Sequence, residues 1–399
     1  MTCTLLTLLA AAALQTPPSG PPPSWWDEPT MIGNRGGVRP TLAEAGVTFA
    51  LAFTGEVISN VHGGLERDTG ADLLLDWVID ADLNKALGWT GGSARLNPMW
   101  LAGDSLTGDV GDLTIVSNIA GRGGVRVFEA WLQQSLFDNA FSLRAGILAA
   151  DQEFVLTSGG TLYYNSVFGG PVFLTPNVTW PLYPVGAPGV RARIDFTKTF
   201  YFQAGVYDGN PGREEFNRSG IRVRLGDEEG LFSIVESGLL LGTTHPTVLK
   251  AGAFRHSARF IEHTSGAERS GLNGAYVVAE QKLVPSKVDA FLRLGFAQED
   301  RAFVSVGLDT GINFTGLIPG RPADVLGIGF IYARISRDFA QAQPDRPRWG
   351  YESVIEVTVK IAFAPWLSVQ PDVQVILHPG GSTALPDATV VGIRIDVLF

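Results

Sequence analysis

The sequence predicts an all-β fold, a transmembrane antiparallel β-barrel of about 16 strands around a water-filled lumen. Three observations predict it. Period-2 alternation recurs from about Val47 to Phe399 in stretches of about nine to twelve residues, where strands of soluble proteins average about five or six. The face opposite the apolar one carries many charges, as a wall lining water does. No apolar run reaches the about 20 residues that a spanning helix needs; the longest, Leu5 to Leu14, is interrupted by Thr7.

Taken in order, the chain opens on that run. Leu5 to Leu14 has the length of a signal-peptide core, and Ala11, Ala12 and Ala13 offer small residues for cleavage. No Lys or Arg precedes the core, as a signal peptide would normally have. Residues 1–20 are expected to be a signal peptide. A Pro-rich spacer and short N-terminal segment then occupy 21–45, with Pro17 to Pro23 extended and mobile. The barrel domain is expected to span 46–399. The one cysteine, Cys3, falls in the segment expected to be removed, which leaves no disulfide framework and no Cys-ligated metal site.

The first strand sets Val47, Phe49, Leu51 and Phe53 against Thr48, Ala50, Thr54 and Glu56. The second sets Leu73, Leu75, Trp77 and Ile79 against Asp72, Asp76 and Asp80. In mid-chain, Val190, Ala192, Ile194 and Phe196 alternate with Arg191, Arg193 and Asp195, and Phe200, Phe202, Ala204 and Val206 with Tyr201, Gln203 and Tyr207. Near the end, Ile355, Val357, Val359 and Ile361 oppose Glu356, Thr358 and Lys360. Leu367, Val369, Val373 and Val375 oppose Ser368, Gln370, Asp372 and Gln374. The last strand runs through Val391, Ile393, Ile395, Val397 and Phe399, against Arg394 and Asp396. Turn signals recur about every 20 to 25 residues, which gives the strand count, and a barrel of about 16 strands holds an aqueous channel. Alternation alone does not separate lipid from a protein core, so a soluble sandwich is the competing fold. Pro371 falls on the apolar parity of its strand and cannot donate to a ladder, so a bulge or a break in pairing is expected there.

Composition narrows the function. The formal net charge is −10 and no stretch is strongly basic, which argues against nucleic acid as a partner. Asp80, Asp82 and Asn84 begin like a calcium loop, but Lys85 and Gly91 stand at its sixth and twelfth positions, so the EF-hand pattern fails. No metal or other cofactor is expected. Gly103-Asp104-Ser105-Leu106 spells a short esterase motif without the α/β pattern that gives it meaning.

Several segments together resemble the carbohydrate-selective porin family, often called OprB-like. They include Gly36-Gly37-Val38-Arg39 with Leu42-Ala43-Glu44-Ala45-Gly46, then Gly111-Asp112-Leu113 with Ser117-Asn118-Ile119. Phe128-Glu129-Ala130-Trp131-Leu132-Gln133-Gln134 follows, and Arg144-Ala145-Gly146 leads into Asp151-Gln152-Glu153-Phe154. Tyr183-Pro184, Ala187-Pro188-Gly189-Val190-Arg191 and Gly205-Val206-Tyr207-Asp208-Gly209 come next. Gly320-Arg321-Pro322-Ala323-Asp324, then Leu326-Gly327-Ile328-Gly329, and Trp366 to Gln374 with His378-Pro379-Gly380-Gly381 complete the series. The order is more specific than any one piece, and it makes Pro371 a family feature.

The resemblance implies a 16-stranded barrel in the bacterial outer membrane through which small sugars diffuse passively into the periplasm. A pore that favours sugars needs hydrogen-bonding groups in a ring and aromatic faces, and it must bind weakly. The expected lining residues are Glu129 and Trp131 on one strand face, Arg144 on the next strand, and the ladder Arg191, Arg193 and Asp195. Arg suits hydroxyl groups through its planar fork of donors, and opposed Asp and Glu would keep the ring near neutral. Trp180 and Tyr183, with Tyr163 and Tyr164, lie in a long segment between strands. That segment is read either as a constriction loop folded inward or as part of the interfacial aromatic girdle. Alternative functions are a general size-selective porin or, further off, an outer-membrane barrel lipase or esterase. Outer-membrane lipid is the expected surrounding. An apolar wall reads the same against lipid and against a second barrel, so a homotrimer stays open.

Overall fold

Alternation becomes a sheet when each strand has a neighbour on both sides, and here the sheet closes on itself. The structure, a computed structural model, describes residues 24–212, 217–222, 229–343 and 348–399. The expected signal peptide and the Pro17 to Pro23 stretch lie outside the described residues. Sixteen antiparallel strands form one closed barrel in which each strand pairs with its sequence neighbours. They are β1 (Val47–His62), β2 (Thr69–Asp82), β3 (Gly92–Gly103), β4 (Gly124–Leu136), β5 (Phe141–Leu148), β6 (Ala187–Asp195), β7 (Phe200–Asp208) and β8 (Leu231–Leu241). The second half is β9 (Thr247–Ile261), β10 (Glu268–Val284), β11 (Val288–Ala297), β12 (Val304–Thr315), β13 (Val325–Ile335), β14 (Tyr351–Ala364), β15 (Leu367–Leu377) and β16 (Ala388–Leu398). β1 closes on β16, with Glu56 opposite Arg394 and Phe53 opposite Val397.

The faces are inverted relative to a soluble protein. Trp77 is 46% exposed on β2 while Asp76 is 1% exposed, and Ile393 is 54% exposed on β16 while Arg394 is 6% exposed. The apolar residues point outward all round and the charged ones are buried inside, which rules out the soluble sandwich and fits a wall set in lipid. No helix among the described residues is long and apolar enough to cross a membrane.

At one end the strands are joined mostly by tight turns, such as 137–140, 196–199, 285–287 and 365–366. The other end carries the long connections 104–123, 149–186 and 209–230. Short turns mark the periplasmic end of such barrels and long loops the external end. The helical turn between β2 and β3, Leu83–Leu87, is capped by Asp82, whose carboxylate accepts from Asn84 N–H at 3.0 Å and Lys85 N–H at 3.2 Å. Asp80 is taken by Arg95 at 2.7 Å. The carboxylates that hinted at calcium therefore have other work.

Pro371 interrupts pairing on one side only. Its ladder to β16 runs through Pro371 opposite Ile393 without a shift. On the β14 side, pairing stops after Thr358–Asp372 and resumes at Ile361–Val369 in the same register. The sheet shows the expected break and no bulge.

The segment 149–186 folds into the lumen rather than joining an interfacial girdle. Lumen-facing side chains hold it by its backbone. Glu236 accepts Val155 N–H at 3.1 Å, Glu280 accepts Ser158 N–H at 2.7 Å, and Glu356 accepts Tyr164 N–H at 2.5 Å and Asn165 N–H at 3.1 Å. Lys250 donates to Leu156 O at 2.7 Å, and Arg293 donates to Val155 O and Val167 O, each at 2.5 Å. Tyr163 and Tyr164 are fully buried; Tyr163 stacks on Phe168 at 4.3 Å. A polar wall thus anchors a loop whose own apolar side chains pack together inside the barrel. Glu356→Gln keeps the size but turns one acceptor into a donor facing an N–H. It is expected to cost about 1–3 kcal/mol, read as a lower thermal midpoint of the folded barrel.

Residues 24–46 pack into the short-turn mouth. Trp25 and Trp26 lie against Trp366 at 4.5 and 5.6 Å, and Met31 N–H donates to Leu398 O at 2.7 Å. Arg39, on the helix Val38–Glu44, donates to the carbonyls of Phe49 and Phe399. Gly46 then turns the chain into β1 with φ +86°, where a Cβ would come within 2.7 Å of Asp82 O; only glycine fits such a turn without strain.

Candidate functional site

Four of the residues expected to line the pore meet in one cluster on adjacent strands. β4 places Glu129, Trp131 and Gln133 on one inward face, because residues two apart share a face. β5 and β6 bring Arg144 and Arg191 opposite each other in register. β3 adds Arg95, opposite Trp131. The inward loop closes the cluster with Glu153.

The Glu153 carboxylate joins the two arginines. Arg144 Nη1 lies 3.0 Å from its Oε1, and Arg191 Nε donates to its Oε2. Gln133 Oε1 accepts from both Arg144 Nε and Arg191 Nη2, each at 3.1 Å. Arg191 Nη1 also donates to Ser142 Oγ at 2.7 Å. Arg95 is held by Asp80 through two bonds of 2.7 and 2.9 Å, and its Nη1 lies 3.9 Å from Glu129. Glu129 in turn accepts Ala149 N–H at 3.2 Å, tying the start of the inward loop to β4. The Arg144 guanidinium lies 3.7 Å from the Trp131 ring centre and that of Arg95 5.4 Å from it. Cation–π contacts of this kind fix a flexible arginine in place. The indole Nε1 of Trp131 has no hydrogen-bond partner among the described residues.

Three arginines (Arg95, Arg144, Arg191) thus face three carboxylates (Asp80, Glu129, Glu153). The cluster is rich in fixed donors yet formally neutral. Below it, toward the short-turn mouth, a cavity of about 350 Å³ is lined by Thr48, Asp80, Lys85, Ser93 and Trp131 among others.

The other expected residues lie elsewhere. Arg193 pairs with Asp195 at 2.7 Å and lies 3.9 Å from the Tyr201 ring centre, with both charged side chains about one-third exposed. The expected ladder is therefore split: Arg191 enters the cluster, while Arg193 and Asp195 form a separate pair nearer the short-turn end. Trp180 is fully buried and packs on Phe232 at 5.6 Å. Tyr183 donates its hydroxyl to Ile119 O at 2.9 Å and packs on Phe128. Both line a second cavity, on the external side. The sequence reading missed Arg95, Gln133 and Glu153. Arg95 had a signal, since Ser93, Arg95 and Asn97 alternate with Ala94 and Leu96. Gln133 and Glu153 stand in segments that carry the family resemblance, but Glu153 comes from a loop and has no strand parity to place it.

Residues 71–399 match the carbohydrate-selective porin family, OprB family. The chain belongs to that family. It is an outer-membrane porin of the carbohydrate-selective kind, and sugars are the solutes of its channel. Porin B of Pseudomonas aeruginosa is 25% identical over 416 residues, covering 92% of this chain and 91% of that protein. The putative porin QuiX of Acinetobacter baylyi is 22% identical and covers 94% of each. Among solved structures, the high-pH structure of Pseudomonas putida OprB superposes with a TM-score of 0.87 at 21% identity. It covers 94% of this chain and all of that one. OmpT of Vibrio cholerae reaches a TM-score of 0.51 at 10% identity, over 88% of this chain and 97% of that one. These structural likenesses speak to the fold.

Proposed function

We propose that the Arg95–Glu129–Trp131–Gln133–Arg144–Arg191–Glu153 cluster is the selective constriction for mono- and small oligosaccharides diffusing passively into the periplasm. The observation that carries this reading is the Trp131 ring flanked by two guanidiniums inside a cluster that Asp80, paired with Arg95, makes formally neutral. Guanidinium N–H groups donate to sugar hydroxyls, and the part of the indole that lines the cavity offers an apolar surface. Because each arginine is already held by a carboxylate or an amide, it needs no reorganisation to meet a passing hydroxyl. Its own bonds compete with the sugar, which keeps binding weak enough for flux. A neutral ring gives little preference to either ion sign.

The chain acts as a channel and not as an enzyme; Gly103 simply ends β3, and Leu106 is buried beneath the loop that follows. Residues 1–20 serve as a signal peptide. The apolar outer wall faces outer-membrane lipid and, if barrels associate as a homotrimer, their neighbours.

The reading is tested by sugar-dependent reduction of ion current in planar bilayers. Wild type is expected to show a concentration-dependent reduction that Trp131→Ala weakens, with Arg193→Ala close to wild type. Equal reductions in wild type and Trp131→Ala would remove the indole from the path.

A further inference from the structure

The external loops enclose a second cavity, of about 390 Å³, that the constriction does not use. Its wall comes from 104–123, from the inward segment 149–186 and from Pro211 and Gly212. Side chains lining it include Asn118, Asp151, Thr175, Thr179, Trp180 and Tyr183. Among the described residues, its lining contrasts with the constriction in charge: Asp151 is the one charged side chain, and no described arginine or lysine takes part. Such a wall does not recruit anions. Its volume lies in the range of small-molecule sites, about 300–1,000 Å³.

Three polar atoms of this wall have no hydrogen-bond partner among the described residues: Asp151 Oδ1, Thr175 Oγ1 and Trp180 Nε1. Asp151 commits its other oxygen to Tyr183 N–H at 3.0 Å. Trp180 is fully buried, and Asp151 is 4% exposed. Buried polar atoms left unpaired are costly, and a carboxylate acceptor, an indole donor and a hydroxyl that does both match the dual character of a sugar hydroxyl. The three atoms are covered, and the residues that carry them line the cavity.

We propose that this cavity is an external capture subsite for a neutral sugar, which is loaded there before it passes the arginine constriction. The proposal rests on the reading of the chain as a sugar pore. A hydroxyl donates to Asp151 Oδ1, another accepts from Trp180 Nε1, and Thr175 Oγ1 completes the set. The subsite raises local sugar concentration above the constriction and makes uptake saturate. It takes no part in ion passage, because the charged cluster lies below it.

The test is the concentration dependence of D-glucose uptake into proteoliposomes by wild type, Thr175→Val and Trp180→Phe, each confirmed as folded by heat-modifiable gel mobility. Thr175→Val keeps the shape, and Trp180→Phe keeps an aromatic ring while losing the N–H. Wild-type uptake is expected to saturate. Each variant is expected to raise the half-saturating concentration about three- to tenfold, the worth of one neutral hydrogen bond, with unchanged potassium chloride conductance. Half-saturation unchanged in both variants, or wild-type uptake that is selective for sugar yet linear in its concentration, overturns the subsite alone. No sugar uptake by folded wild type would instead overturn the sugar-pore reading on which it rests.

Discussion

Arg191→Ala is expected to turn a nearly unselective pore into a cation-preferring one, with little loss of folding. The cluster then carries three carboxylates against two arginines, because Arg191 is removed while Glu153 keeps Arg144 at 3.0 Å. At about 10 Å and an effective dielectric constant of about 20, one unit of charge is worth ~1.7 kcal/mol, which salt screening cuts to ~0.6. Cations gain that amount and anions lose it, so the cation-to-anion permeability ratio rises about sevenfold. Reversal potentials across a salt gradient read this directly. Sugar flux should lose selectivity in the same variant, because Arg191 also fixes the Gln133 amide at 3.1 Å. Arg193→Ala is expected to do far less: its charge is paired with Asp195, about one-third exposed and away from the cluster. Equal shifts in the two variants would place the constriction lower in the barrel than the structure does.

Arg293→Ala is expected to release the inward loop. Arg293 is fully buried, pairs with Asp309 at 2.9 Å and donates to two loop carbonyls at 2.5 Å each. Its removal strands a carboxylate of 1% exposure and leaves both carbonyls unpaired. Breaking a buried pair on one side costs about 3–5 kcal/mol. The barrel itself should persist, since its ladders do not depend on this side chain. The expected signature is a lower thermal midpoint, a larger and noisier conductance, and protease cleavage within 149–186. An unchanged midpoint and a quiet channel would show that the carboxylates on the other strands suffice to hold the loop.

How far the sequence discloses this molecule depends on which interactions are periodic. Strand faces repeat every second residue, so the outward apolar wall, the inward charges and the strand number could be read from Val47 to Phe399. The same parity placed Glu129, Trp131, Arg144 and Arg191 inside. It could not place Glu153, whose position depends on how 149–186 crosses the lumen, and a loop path has no period. Parity also could not assign work to the inward charges. Glu236, Glu280 and Glu356 look like groups that only solvate a wall, yet each accepts backbone N–H groups of the loop. The aromatic segment illustrates the same limit. Tyr163 and Tyr164 read equally well as girdle or as loop, and the hydrogen bonds of the Tyr164 backbone to Glu356 decide for the loop. Arg95 is different: it alternates with Ala94 and Leu96, but Pro98 interrupts the pattern, and the ladder to β4 shifts register there.

The most direct test of the central claim is liposome swelling with refolded wild type and Arg144→Ala/Arg191→Ala, using sugars of rising size beside amino acids and salts of matched size. Fast swelling with monosaccharides, slower swelling with larger sugars, and weaker swelling with matched non-sugars are expected. The double variant is expected to sort solutes by size alone. Swelling of wild type that depends only on solute size would contradict selection by the arginine–tryptophan cluster and leave a general porin.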